Sequence, residues 1–159
     1  VAGLADRLEF RVMDATQLDL PAASFDVVWV LETSEHLADK QSFLTNCARL
    51  LKPGGKLAIG TCVACESLSA GQAKLLAAVT NVLLTEPLAR RSDYLEWLRR
   101  AGLREIETEE ITSAVAETWS QMAAAFRKQP TTPGAATVTR RMTLLLQPVP
   151  AAYADGSMR

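Results

Sequence analysis

An ionised carboxylate can only accept hydrogen bonds, while a neutral imidazole both takes and gives a proton near pH 7. This sequence sets such groups just past apolar runs. Asp14 follows residues 8–13 (LEFRVM), and Glu32 follows Phe25–Leu31 (FDVVWVL). His36, the sole histidine, comes four residues after Glu32. Asp14 and the backbone N–H of Ala15 offer an acceptor and a donor side by side, which suits a heterocycle carrying an amino group next to a ring nitrogen. His36 can take a proton from a nucleophile, provided it lies within hydrogen-bond reach. Each has a plainer use: Asp14 as a turn-former, His36 as a brace at the start of the next helix. Asp26 can bond a neighbouring loop and be purely structural. Cys62 and Cys65 have a CxxC spacing, but a zinc site would want a second pair or clustered histidines. A redox CxxC opens a helix, whereas Cys62 ends a strand-like run, so both are expected to be packing cysteines.

Those groups work together only if a scaffold brings strand ends side by side. FDVVWVL is nearly all apolar and rich in Val, the pattern of a parallel strand covered on both faces by helices. Trp29 within it is expected in the core. Residues 8–13 alternate and predict another strand, closed by Asp14. Residues 39–51 put Phe43, Leu44, Cys47, Ala48 and Leu51 on one helical face, with Asp39 as N-cap. Lys52-Pro53-Gly54-Gly55 stops that helix and turns the chain. Residues 56–62 (KLAIGTC) form the next strand. Strand, helix, turn, strand is a βαβ unit, so the two strands run parallel. In such open sheets ligands lie beyond the carboxyl ends of the strands, where Asp14 and Glu32 stand.

Further on, helices are expected over 70–84, 92–101, 115–126 and 137–146. Ser92 is the expected N-cap of the second, and the third carries Trp119, Met122, Ala123 and Phe126 on one side. Residues 103–112 predict a strand with an acidic middle. Trp97 and Trp119 are expected in the core or the wall of a pocket.

Composition narrows the field. The chain has 159 residues, 48% of them hydrophobic and 22% charged, which is enough for one domain with a real core. A net charge of −1 argues against a nucleic-acid partner. No apolar run is long enough for stable membrane insertion. Three cysteines, an odd number, argue against a disulfide framework and for a cytoplasmic setting. The opening VAGLADRLEF lacks the pattern of a secretory leader, and a start at Val predicts a fragment. From Arg127 onward the chain is locally basic, for which a solvated helix face is the expected use.

Five pieces of text in order carry a resemblance: Asp14-Ala15, LDLP at 18–21, SFDVVWVLE at 24–32, EH at 35–36 and LLKPGG at 50–55. Together they resemble the class I S-adenosylmethionine-dependent methyltransferases. ETSEHLADK at 32–40 is similar to the tocopherol methyltransferase-like branch, as are Ser92-Asp93-Tyr94, Ala101-Gly102-Leu103 and Thr118-Trp119. The Thr-Trp-Cys of that branch is here Thr61-Cys62-Val63. Residues 155–159 resemble the approach to its last strand.

The resemblance implies an α/β, Rossmann-like sheet with helices on both faces and strand order 3-2-1-4-5-7-6. Residues 1–159 would then be a single partial domain holding strands 3, 4, 5 and 6 of seven. Its glycine-rich loop and ribose-binding acid would lie upstream. Residues 1–62 would be the cofactor side, and 63–102 and 113–148 the substrate-side helices. The implied cofactor is S-adenosyl-L-methionine, held by Met13, Asp14, Ala15, Leu31, Glu32 and His36, with Asp14 on the adenine and no metal. His36 is the candidate catalytic base; a positioning role is preferred, since the EH pair recurs across members with unrelated substrates. The implied partner is a small, largely apolar methyl acceptor, a tocopherol-like aromatic or a polycyclic metabolite. The rival reading is a non-catalytic interaction module that has lost its glycine loop. A nicotinamide-dependent dehydrogenase does not fit the EH and LLKPGG text. Alone, the chain is expected to aggregate, or to pair residues 8–13 directly with Phe25–Leu31.

Overall fold

A computed structural model describes residues 3–128 and 148–159. Its centre is one βαβ unit: β1 (Phe25–Leu31), α1 (Lys40–Leu50) and β2 (Leu51–Gly60). β1 and β2 are parallel, with Val28 opposite Leu57, Val30 opposite Ile59 and Leu31 opposite Gly60. α1 begins where Asp39 accepts the Ser42 N–H at 2.8 Å, the expected cap. Phe43, Leu44, Cys47 and Leu50 are buried at helical spacing. The turn at 52–55 is looped out of the ladder, since Phe25 faces Leu51 but Val27 already faces Lys56. Gly54 takes φ +78°, and a Cβ on Gly55 would lie 3.1 Å from the Asp26 carbonyl oxygen, so the turn requires both glycines. Asp26 has the structural use: its carboxylate takes Lys52 Nζ at 2.8 and 3.0 Å. Arg49 donates to the carbonyls of Leu18 and Leu20, which holds the LDLP segment against α1.

α3 (Arg91–Arg100) packs on α1, bringing Tyr94 into the same core as Val30, Phe43, Leu44 and Cys47. Trp97 meets Tyr94 edge to face, with ring centroids 5.5 Å apart. α3 starts a residue earlier than expected: Asp93 accepts the Arg90 N–H, and Ser92 lies inside the first turn, bonded to Glu66.

A second core lies beyond the strands. α2 (Ala70–Leu83), α4 (Thr112–Lys128) and α5 (Pro148–Ala154) gather Leu76, Val79, Val149 and Ala152 around Ala64 and Met158. Cys62, Trp119 and Tyr153 pack against its edge. Residues 157–159 return antiparallel along 63–65, with Val63 and Arg159 exchanging both backbone bonds.

Three further expectations change. Residues 8–13 lie in no ladder and do not pair with β1; Phe10 and Val12 are almost wholly exposed. An extended run becomes a strand only when a neighbour takes its backbone groups, and here none does. Residues 103–112 likewise form no strand: their acidic side chains line a surface stretch, and Glu105 takes φ +53°. Strands 4 and 5 of the implied order are therefore present as β1 and β2, while 3 and 6 are not. Finally, α1 covers one face of β1 only. Phe25, Val27, Trp29 and Leu31 lie exposed on the other, among the described residues, so Trp29 is not core. The helix expected over 137–146 lies outside the described residues. No helix among the described residues is long and apolar enough to cross a membrane.

Candidate active site at the carboxyl ends of the strands

The two strands end together, where the Glu32 N–H bonds the Gly60 carbonyl at 2.8 Å. β1 runs into a sharp turn, with Glu32 at φ +46°, a conformation that a non-glycine residue adopts at a cost. A single 3-10 turn, Ser34–His36, follows. β2 ends at Gly60, with Thr61 and Cys62 just beyond it. Side chains from both ends meet there. Ser34 Oγ lies 2.8 Å from Tyr94 Oη and 3.2 Å from Thr61 Oγ1, and Thr61 Oγ1 donates to Glu35 Oε2 at 3.0 Å. Ser34, Glu35 and Tyr94 are buried. Cys62 Sγ lies 3.4 Å from Tyr153 Oη, which brings α5 to the same place.

The electrostatics follow from crowding of acids. Partial burial first, then the nearby Glu35 carboxylate, push the Glu32 carboxyl above its ordinary range. Burial raises the Cys62 thiol and the Tyr94 and Tyr153 hydroxyls, so all three hold their protons at neutral pH. Cys62 is thus a weak nucleophile, as a packing cysteine should be, and Cys47 is pushed up to about 11 by burial. All three cysteines are free thiols.

The expected site residues fall into two groups. Glu32 and His36 join the strand-end cluster. His36 is exposed, with Nδ1 3.2 Å from the Leu84 carbonyl oxygen. A carbonyl only accepts, so Nδ1 is the donor in this contact, and the tautomer that makes it has its lone pair on Nε2. Met13, Asp14 and Ala15 form a second group. Asp14 closes a turn: its Oδ1 takes both the N–H and the hydroxyl of Thr16, and these bonds hold its carboxyl below the ordinary range. Among the described residues, no protein donor reaches Asp14 Oδ2 and no acceptor takes the Ala15 N–H. Ala15 packs against the α1 core, which carries this group beside β1. Leu31 points to the uncovered face and is 59% exposed. The sequence reasoning missed Ser34, Glu35, Thr61, Tyr94 and Tyr153. Ser34 and Glu35 were within reach, since they lie inside the ETSEH text. A cavity of about 540 Å³ opens beside the cluster, at the start of α1, between Lys40, Glu86, Asp93 and Trp97.

A parallel βαβ unit with its polar groups at the strand ends, an acceptor–donor pair left open at Asp14-Ala15 and apolar helices beyond is the architecture of an open-sheet, nucleotide-type cofactor domain. The comparisons narrow the class. A methyltransferase domain family matches residues 2–59. The 27-O-demethylrifamycin SV methyltransferase of Amycolatopsis mediterranei is 34% identical over 79% of this chain, which covers 46% of that protein. The chloroplastic tocopherol O-methyltransferase of Arabidopsis thaliana is 30% identical over 73% of the chain, covering 35% of its own length. The solved geranyl diphosphate C-methyltransferase of Streptomyces coelicolor shares the fold, with a TM-score of 0.71 at 16% identity over 93% of this chain and 49% of its own. Residues 2–59 thus match a methyltransferase domain, and the chain shares the fold of solved methyltransferases. It spans between a third and a half of the length of these curated relatives.

Proposed function

We propose that the protein bearing this chain transfers a methyl group from S-adenosylmethionine to a small, largely apolar metabolite. The observation that carries this reading is the meeting of Glu32, Glu35, His36, Thr61 and Tyr153 at the ends of two parallel strands, in a chain that matches this domain. The open acceptor and donor at Asp14 Oδ2 and the Ala15 N–H fit an adenine edge. Met13, Leu31 and Glu32 complete the cofactor side of residues 1–62. When bound, S-adenosylmethionine supplies an electrophilic methyl on a sulfonium that leaves as a neutral thioether, so no oxyanion hole is needed.

The chain's own residues align and shield. The turn at Glu32–His36 fixes one wall of the cleft, and the apolar core around Leu76, Val79 and Val149 backs the other and limits water. His36 Nε2 is the free lone pair that takes a proton from an acceptor O–H or N–H. In this reading the described residues of 63–102 and 113–148 supply the acceptor side. A tocopherol-like aromatic or polycyclic acceptor accords with the similarity to tocopherol and rifamycin methyltransferases and with that apolar core. Three free thiols accord with a cytoplasmic setting.

The test is incubation of the protein with methyl-labelled cofactor and a panel of aromatic and polycyclic metabolites. Label in the small-molecule fraction is the expected result. Label confined to protein or nucleic acid would sink the reading.

A further inference from the structure

Proton counting gives the strand-end cluster a direction. Each hydroxyl has one proton to give. Thr61 spends its proton on Glu35 Oε2, and Ser34 spends its own on Thr61 Oγ1. The 2.8 Å contact between Ser34 and Tyr94 can then be made only by the Tyr94 hydroxyl donating. The result is a one-way chain, Tyr94 to Ser34 to Thr61 to Glu35. It starts on α3, passes the end of each strand and finishes on a carboxylate that is 3% exposed. A buried carboxylate is costly unless donors meet it, and donors in series polarise one another toward it.

Glu35 is also gripped by its backbone. Its carbonyl accepts the Glu86 N–H at 3.0 Å, and the next residue, His36, reaches the Leu84 carbonyl. One short turn is thereby tied to α3, to the end of β2 and to the 84–86 segment. That turn carries Glu32 at its start and His36 at its end.

We propose that Tyr94, Ser34 and Thr61 are positioning residues: through Glu35 they clamp the Glu32–His36 turn in the geometry that receives the cofactor. This rests on the reading of the cleft as a methyltransferase site. None of the three hydrogen-bonds the open Asp14-Ala15 pair, so the proposed effect on cofactor passes through the turn.

The test uses the full protein bearing this chain, with Tyr94→Phe, Thr61→Val and Thr61→Ser. The first two each remove one hydroxyl and keep the bulk; the third keeps the hydroxyl. Two quantities are read. Amide hydrogen exchange at Glu35, His36, Leu37 and Glu86 reports the clamp without any ligand. Calorimetric titration with S-adenosylhomocysteine reports its consequence. Thr61→Val, which loses a bond into a charged acceptor, should speed exchange at those amides and weaken binding about tenfold, and Tyr94→Phe, which loses a bond between neutral hydroxyls, should do the same by about threefold to fivefold. Thr61→Ser should restore both to within about twofold. Exchange equal to wild type in both Tyr94→Phe and Thr61→Val would overturn the clamp, whether or not ligand binds. Faster exchange with unchanged affinity would overturn the positioning role while leaving the methyltransferase reading intact. A wild type that binds no S-adenosylhomocysteine would instead sink that reading and, with it, the role given to the turn.

Discussion

Trp29 and Val30 are neighbours in β1 and meet opposite surroundings. Val30 is 5% exposed, packed beneath α1 with Phe43, Leu44 and Cys47; Trp29 is 74% exposed on the opposite face. Val28 follows Val30 toward the helix, while Val27 and Leu31 follow Trp29 outward. The residue types on the two faces are nearly the same. Apolarity sets what a strand face needs; the elements at hand decide whether it is met. α1 meets it on one side because its apolar stripe lies within the βαβ unit itself. The other face, like residues 8–13, has no such partner among the described residues.

The difference should be large when measured from the covered side. Leu44 is fully buried, so Leu44→Ala should destabilise the protein by about 2–5 kcal/mol, the range for an emptied leucine site. Denaturant unfolding checks this, and a loss much smaller than that would mean the α1 face is loosely packed.

A smaller effect, with a definite sign, lies where the faces end. Glu32 is raised above 4.5, its ordinary value, by partial burial and by Glu35. The fold therefore holds more protons than the unfolded chain in the window just above that value. Stability falls as pH rises through it. Glu32→Gln is neutral throughout and should gain on wild type between about pH 4 and pH 7, read from unfolding curves at both ends of that range. A variant whose difference from wild type does not change with pH would remove Glu32 from the crowded cluster.

The smallest expected change in stability is on the open face. In residues 1–159 expressed by themselves, Trp29→Lys should leave secondary structure unchanged and reduce self-association, because a charge blunts an exposed apolar strand. Light scattering reads it. A tryptophan whose loss unfolds the chain would show that this face is covered after all.

The fold was legible where the cause is local. Asp39 with the 43, 44, 47, 48, 51 spacing predicts α1, although Leu50 rather than Ala48 joins its buried face and Leu51 opens β2; Lys52-Pro53-Gly54-Gly55 specifies the turn, because caps, periodicity and positive φ act within a few residues. Residues 8–13 and 103–112 carried the right local pattern, but a strand also needs a distant neighbour. The site divides the same way. Glu32 and His36 stood out by their place after a strand. Tyr94 did not, because its partner Ser34 is 60 positions away, and Tyr153 lies 91 positions from Cys62. Nothing in the text around either tyrosine marks where its hydroxyl will go.

The central claim is that Asp14 and Ala15 meet the adenine of S-adenosylmethionine while the clamped Glu32–His36 turn meets its other end. Calorimetric titration of the protein bearing this chain, as wild type and as Asp14→Ala, tests it most directly. Saturable binding by wild type, weakened roughly tenfold or more in the variant, is the expected result for loss of a charge-assisted bond. Equal affinities would remove Asp14 from the site, and no binding by either protein would contradict the account.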